Sequence, residues 1–277
     1  MQSEQVNYDK QKLIIQKLNV SAQFEAGQET QKRVEFIKTQ ILLTKRSTLV
    51  LGISGGIDST VAGRLAQLAV ESLRQQGEKA QFIAMRLPYG TQKDEADAQQ
   101  ALEFINPDTV YSVNIKPACD AMLSSLLSSG IHFRDEAQQD FVMGNIKARQ
   151  RMISQYAVAG ATDGLVIGTD QAAEALMGFF TKYGDGACDI APLEGLTKRR
   201  VRKIAMYLNA PTYLTNKVPT ADLEDLSPLK PDELAFGISY NDIDDFLEGK
   251  IVPESVYKII YAAFKATAHK RSLPVTP

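Results

Sequence analysis

Leu49–Val50–Leu51–Gly52–Ile53–Ser54–Gly55–Gly56–Ile57–Asp58–Ser59–Thr60 is the stretch from which the rest of the chain is read. Leu49 to Ile53 is a β-rich apolar run of the kind buried in a parallel sheet. Ser54, Gly55 and Gly56 turn the chain sharply, and Asp58, Ser59 and Thr60 open an amphipathic helix carrying Val61, Leu65, Leu68 and Ala69. A strand, a Gly-rich turn and a helix N-terminus together make an anion site. Small residues let backbone N–H groups face a phosphate, and the helix dipole favours negative charge there. No Lys precedes the Ser/Thr as in G-x-x-x-x-G-K-[ST], and the G-x-G-x-x-G spacing is missing too, so neither of those nucleotide loops is present. The bland alternative is an ordinary tight βα turn with a helix cap.

The order Ser-Gly-Gly-x-Asp-Ser after a strand resembles the PP-loop of ATP pyrophosphatases, which cleave ATP between the α- and β-phosphates and use it to adenylate an oxygen. The bulk composition is compatible with such an enzyme. A chain of 277 residues, 44% of them hydrophobic, can bury a sizeable core as one large α/β domain or two small ones. A net charge of -2 offers no general attraction to nucleic acid or to an anionic membrane. Cys119 and Cys188 form no C-x-x-C and suggest no disulfide framework. The start of the chain lacks a basic segment followed by an apolar one, and no apolar run approaches the ~20 residues of a membrane span. A cytoplasmic protein is expected.

Outward from the loop, strands alternate with helices. Strands are expected at Ala80–Leu87, Thr109–Ile115 and Gly164–Ile167, with helices at about 58–77, from Asp94 to Ile105, and from Pro117 to Gly130. That alternation implies a doubly wound, mostly parallel sheet flanked by helices, which binds ligands outside the carboxyl ends of its strands. Residues 1–47 hold two packing helices, about Tyr8–Leu18 and Glu29–Thr44, and 48–208 form the α/β core of a single domain. Glu136 to Gly160 reads as one long helix with a stripe of Val142, Ile146, Arg149, Ile153, Tyr156 and Gly160, which packs on the sheet or on a second subunit. Thr197 suits the N-cap of a helix Lys198–Leu208. Thr215 to Glu233 is Pro-rich and aperiodic and is expected to be a lid. Asp242–Leu247 and Pro253–Thr267 are the last helices, and 238–277 is expected to end in a substrate-contacting tail with His269–Lys270–Arg271.

Nearly the whole chain resembles the ammonia-dependent NAD+ synthetases. The matching segments are Leu51–Thr60, Arg86–Leu–Pro–Tyr–Gly90, Gly144–Asn–Ile–Lys–Ala–Arg149, Gly168–Thr–Asp170 with Glu174, Gly178–Phe–Phe–Thr–Lys–Tyr–Gly–Asp–Gly186, Gly195–Leu–Thr–Lys198, Pro219–Thr–Ala–Asp–Leu223, Gly237–Ile–Ser–Tyr240 and His269–Lys270. The resemblance implies a Rossmann-like fold of the adenine nucleotide α-hydrolase type and a homodimer through helix 136–160. It implies that Mg-ATP adenylates the nicotinate carboxylate of deamido-NAD+, after which ammonia displaces AMP to give NAD+. It implies that Gly52, Ile53, Ser54, Gly55, Gly56, Ile57, Asp58 and Ser59 hold the ATP phosphates, and that Arg86, Thr169, Lys198 and Thr220 also contact ATP. Asp58 and Glu174 are then the Mg2+ ligands. Arg149, Lys182, Asp189, His269 and Lys270 contact deamido-NAD+, and Asp185 handles ammonia. Ile57, Gln171 and Ala187–Cys188 stand where the family more often has Gln, His and Gly-Ala. None of these removes a charged group that the chemistry needs.

The residues also have plain readings. Asp58 could be a carboxylate at a helix N-terminus, Glu174 a solvated helix residue, the tail a basic terminus, and Arg149 half of a structural ion pair. Lys198 at a helix start opposes the dipole, which favours a role with phosphate. Other PP-loop enzymes include GMP and asparagine synthetases and tRNA-modifying enzymes. The basic patch or cysteine pair of a tRNA enzyme is not visible, and the roughly 50 residues before the loop are too few for a typical glutaminase domain. A nucleotide-binding module without catalysis is the alternative from another class, and cleavage of ATP to AMP and pyrophosphate separates it from an enzyme.

Overall fold

The computed structural model describes residues 2–90, 95–221, 226, 230–272, 274 and 276. In chain order its elements are α1 (Gln2–Lys17), α2 (Ala26–Thr44), β1 (Thr48–Gly52), α3 (Ile57–Gln75), β2 (Gln81–Arg86), α4 (Glu95–Ile105), β3 (Thr109–Ser112), α5 (Lys116–Ser128), α6 (Glu136–Ala161), β4 (Gly164–Val166), α7 (Ala172–Met177), α8 (Lys198–Tyr207), α9 (Thr212–Asn216), β5 (Thr220–Ala221), β6 (Lys230–Pro231), α10 (Asp232–Phe236), α11 (Tyr240–Leu247) and α12 (Glu254–Ala266). A 3-10 turn, Ala268–Lys270, follows.

β1 lies inside a parallel sheet of order β3-β2-β1-β4. Successive side chains point to opposite faces of a strand, and both faces here are apolar. Leu49, Leu51, Phe82, Ala84, Leu165 and Ile167 pack with α2, α3 and α8 on one face. Val50, Ile83, Met85 and Val166 pack with Cys119, Met143 and Ala159 of α5 and α6 on the other. This is the doubly wound α/β sheet implied by the alternation of elements. A separate apolar cluster joins α1, α7, α11 and α12 through Ile14, Leu176, Tyr240, Phe246 and Ile260. No helix among the described residues is long and apolar enough to cross a membrane.

The order of the strands creates a crevice. The order of connection reverses at β1: the chain steps outward to β2 and β3 and then returns to lay β4 on the other side of β1. β4 is short, so its ladder with β1 ends at Val50↔Val166. Past that point Gly168 N–H turns to the Ile190 carbonyl, 2.8 Å away. The Gly52 N–H, left without a strand partner on this side, donates to Gln155 Oε1 of α6 at 2.7 Å. β1 and β4 therefore part at their carboxyl ends, the topological switch point where open α/β sheets bind ligands.

Several boundaries differ from the sequence reading. β3 stops at Ser112 instead of Ile115, because it is an edge strand paired only as far as Arg86↔Ser112. α2 starts at Ala26, where the Glu25 carboxylate accepts the Gly27 and Gln28 N–H groups. The stripe expected to be the packing face of α6 is half-buried or exposed, with Ile153 52% exposed. Its Ile146 and Tyr156 still pack against the core beside the sheet, and the fully buried positions of α6 are Met143, Gly144, Lys147, Ala148 and Ala159. The expected lid is partly structured: the end of α9, the antiparallel pair β5 and β6, and the start of α10 fall inside it. Its residues 222–225 and 227–229, like Thr91–Asp94 in the expected Pro88–Gln92 loop and helix start, lie outside the described residues.

Gly55 has φ +86°, and a Cβ on it would sit 2.8 Å from the Ala98 backbone nitrogen of α4. The turn after β1 is thus pressed onto another helix at a residue with left-handed backbone. Gly55→Ala is expected to lower stability by about 1–3 kcal/mol, read as a lower urea midpoint with an unchanged slope. A midpoint equal to that of the parent chain would show that the turn relaxes freely.

Candidate active site

The turn after β1 is built from small side chains that bond to one another. Ser54 Oγ accepts the Gly56 N–H at 3.2 Å. Ser59 Oγ lies 3.1 Å from Ser54 Oγ and donates to the Gly56 carbonyl at 3.1 Å. Gly56 is the N-cap of α3 and places no side chain on the first amides of that helix. A helix N-terminus opened in this way suits an oxyanion. Ile53 and Ile57 are buried in the core, so they can offer only backbone to a ligand. Arg86, buried at the end of β2, reaches the Ile53 carbonyl with Nη1 at 3.0 Å and Glu95 with Nη2 at 2.5 Å.

Lys198 enters this crevice as the first residue of α8. A cation there opposes the helix dipole, and acidic groups offset it. Asp244, 1% exposed, accepts the backbone N–H groups of Lys198 at 3.1 Å and Arg199 at 2.7 Å. Thr197 accepts the Arg200 N–H. The Lys198 ammonium sits 2.5 Å from Asp58 Oδ2 and 3.7 Å from Glu174 Oε1. On another side it stands over the Tyr240 ring, 5.1 Å from the centroid. Burial alone would lower the lysine pKa, but Asp58 and Glu174 outweigh it and hold the group above its ordinary value. Burial, then the charge of Asp58, pushes the Glu174 carboxyl well above the usual range. Glu174 is therefore no solvated helix residue.

Asp58 Oδ1 is buried with no hydrogen-bond partner among the described residues. An orphaned carboxylate oxygen beside a second carboxylate is a hard-oxygen donor set that fits Mg2+. Among the described residues no group of three or more His, Cys, Asp or Glu side chains is gathered to hold an ion.

A second group of side chains lies further along the crevice, around residues 178–186. Arg149 Nη2 donates to the Lys182 carbonyl at 3.2 Å, and Lys182 Nζ donates to the His269 carbonyl at 2.6 Å. Lys270 Nζ donates to the carbonyls of Gly178 and Phe180 at 2.9 and 2.8 Å. The tail is thereby fastened to this loop, so His269–Lys270–Arg271 is not a loose basic terminus. Arg149 is exposed and has no ion pair among the described residues of its own chain. Asp185 accepts the Thr181 N–H at 2.8 Å, and the charge of Lys270 reaches it. Phe179 packs edge-on against Phe236. Asp189 differs from the others: its carboxylate accepts the Val166 N–H at 2.7 Å and the Tyr156 hydroxyl at 3.3 Å.

Thr169 and Thr220 are half-buried. Thr169 precedes Asp170. Thr220 follows Pro219, whose carbonyl accepts the Asp232 N–H at 3.1 Å. Asp170, Asp232, Tyr240 and Gln155 are polar residues of this region that sequence reasoning did not single out. Burial, then Asp185 and Asp58, holds the Asp170 carboxyl well above the usual range. Asp170 and Tyr240 do fall inside segments quoted for the family resemblance, and that was the available signal.

Lys198→Met removes the cation between two carboxylates. Breaking such a buried arrangement is expected to cost about 3–5 kcal/mol, measured by urea unfolding, and millimolar Mg2+ should recover part of the loss in the variant. Unchanged stability would mean that Lys198 does not hold Asp58 and Glu174.

The family model described as NAD synthase matches residues 29–274. An NH(3)-dependent NAD(+) synthetase of Burkholderia lata is 59% identical over 267 residues, 96% of this chain and 95% of its own. The crystal structure of an NAD+ synthetase from Burkholderia pseudomallei is 54% identical and superposes with a TM-score of 0.84, covering 97% of this chain and 98% of its own. The structure of an NMN synthetase from Francisella tularensis is 36% identical with a TM-score of 0.79, covering 92% of this chain and 99% of its own.

Proposed function

The chain belongs to the NAD synthase family, and from that premise we propose how its crevice carries out the reaction. The enzyme is an ammonia-dependent ligase that adenylates the nicotinate carboxylate of deamido-NAD+ with ATP and then exchanges AMP for ammonia. The observation that carries the proposal is the buried Lys198 held between Asp58 and Glu174 beside the glycine turn.

The segment Gly52–Ser59 holds the ATP phosphates, with Arg86, Thr169, Lys198 and Thr220 around the nucleotide. Asp58 and Glu174 would hold Mg2+, which supplies positive charge against the repulsion between a carboxylate and a polyphosphate. Lys198 supplies a second, fixed charge in a site of low dielectric, where it counts for more than in water. A nicotinate oxygen forms a bond to the α-phosphorus, the bond to the bridging oxygen of pyrophosphate breaks, and pyrophosphate leaves. Ammonia then adds to the acyl carbon, the bond to AMP breaks, and the nitrogen loses a proton. Asp185, in the loop around Lys182 and within the field of Lys270, takes the proton that ammonium must lose. Arg149, Lys182, His269 and Lys270 hold the dinucleotide, and Asp189 reaches it from its seat on β4.

We propose a homodimer through α6. Phe141 and Ile153 of α6 and Val110 and Tyr111 on the edge strand β3 are exposed apolar side chains of the kind that mark an interface. ATP supply and two free cysteines fit a cytoplasmic setting.

With Mg-ATP, deamido-NAD+ and ammonium the products should be NAD+, AMP and pyrophosphate, with glutamine a poor donor. ADP and phosphate would overturn the assignment of the glycine turn. Nicotinate mononucleotide should be a much poorer substrate than deamido-NAD+, as identity to the NAD+ synthetases is higher than to the NMN synthetase. For Arg149→Leu, the fold should persist while KM for deamido-NAD+ rises at least tenfold, about 1.4 kcal/mol, and KM for ATP changes little. A folded variant with the parent KM for the dinucleotide would remove Arg149 from the substrate site.

A further inference from the structure

Tyr240 and Asp232 form a buried pair behind Lys198. Tyr240 is 2% exposed and Asp232 5%. The phenol donates to Asp232 Oδ2 at 2.9 Å. Asp232 Oδ1 is buried with no hydrogen-bond partner among the described residues. A half-satisfied buried carboxylate is an expensive feature for stability alone. Burial pushes its carboxyl above the usual range, and the positive charge of Lys198 opposes that push.

The pair also sits where three parts of the site meet. Tyr240 opens α11, the helix whose Asp244 caps the start of α8, so one helix holds Lys198 by its backbone and by its ammonium. The Glu233 carboxylate accepts the Tyr240 N–H at 2.7 Å, which fixes the approach of the ring. Asp232 opens α10, and its N–H bonds to Pro219 O, next to Thr220 in the ladder β5–β6. An aromatic face attracts an ammonium without taking its proton or bonding it covalently, and a hydrogen bond from the phenol to a carboxylate makes that face more electron-rich.

We propose that Asp232 and Tyr240 are positioning residues for Lys198. This rests on the reading of Lys198 as an ATP-site residue. Asp58 and Glu174 are the other partners of the ammonium, and the reaction asks both of them to face a ligand. Tyr240, anchored by Asp232, is the partner that stays in place and keeps the ammonium aimed at the phosphates. The Asp232 backbone N–H on the Pro219 carbonyl ties the same residue to the strand that carries Thr220.

The test is Asp232→Asn, with Tyr240→Phe and Lys198→Ala beside it, in the full-length enzyme. Asparagine keeps an acceptor for the phenol and removes a buried, half-bonded charge. The melting temperature of Asp232→Asn should therefore stay level or rise, while kcat and the rate of pyrophosphate–ATP exchange fall about tenfold together. KM for deamido-NAD+ and KM for ammonia should stay within twofold. Tyr240→Phe should lower the exchange rate likewise. A purely structural role predicts activity lost only in step with melting temperature, and that pattern overturns the proposal. So does Asp232→Asn with parental exchange while Lys198→Ala is inactive. An active Lys198→Ala would instead remove the reading of Lys198 on which the proposal stands.

Discussion

A lysine held between two carboxylates in the interior is the interaction on which the site depends. Each ion alone would lose several kcal/mol on leaving water, and the arrangement is tolerable only because the charges meet at short range. Lys198 with Asp58 and Glu174 satisfies that condition. Everything around it answers the same problem: Asp244 offsets the helix dipole at the root of α8, Tyr240 lends its ring face, and Asp232 anchors that ring. The result is a positive charge preorganised beside the glycine turn proposed to hold phosphate, which avoids reorganisation at the moment of reaction.

The sheet explains why these residues can meet. Asp58 stands at the start of α3, Glu174 in α7 and Lys198 at the start of α8. The crevice between β1 and β4 gathers them at one end of the sheet. α6 runs past that crevice and touches it three times: Gln155 binds Gly52 N–H, Arg151 binds the Leu87 carbonyl at 3.1 Å, and Arg149 binds the Lys182 carbonyl. One helix therefore sets the glycine turn, the end of the Arg86 strand and the loop around Lys182 relative to one another.

Much of this could be read from the sequence, for identifiable reasons. The apolar run before Ser54–Gly55–Gly56 has one physical use in an α/β protein, and the strand alternation followed from it. Pro117 and Thr197 marked helix starts as local rules require. The stripe on α6 left sheet and second subunit open, because apolar spacing alone cannot tell a face turned to the sheet from one turned to a partner; Ile146 and Tyr156 pack against the core while Ile153 is exposed. Lys147, buried with its ammonium 4.2 Å from the Tyr89 ring centroid, breaks the apolar pattern. Asp232 and Tyr240 were invisible as partners of Lys198, since only the packing of α10 and α11 brings them behind α8. Asp189 carried a family role in sequence, and its bonds to Val166 and Tyr156 became legible only once β4 was in place.

The central claim is that the crevice directs a carboxylate oxygen of deamido-NAD+ to the α-phosphorus of ATP. The direct measurement uses deamido-NAD+ carrying ¹⁸O in its nicotinate carboxylate, with mass analysis of the products after turnover with ammonium. One ¹⁸O atom should appear in AMP and none in pyrophosphate. AMP free of label, or label in inorganic phosphate, would contradict the account.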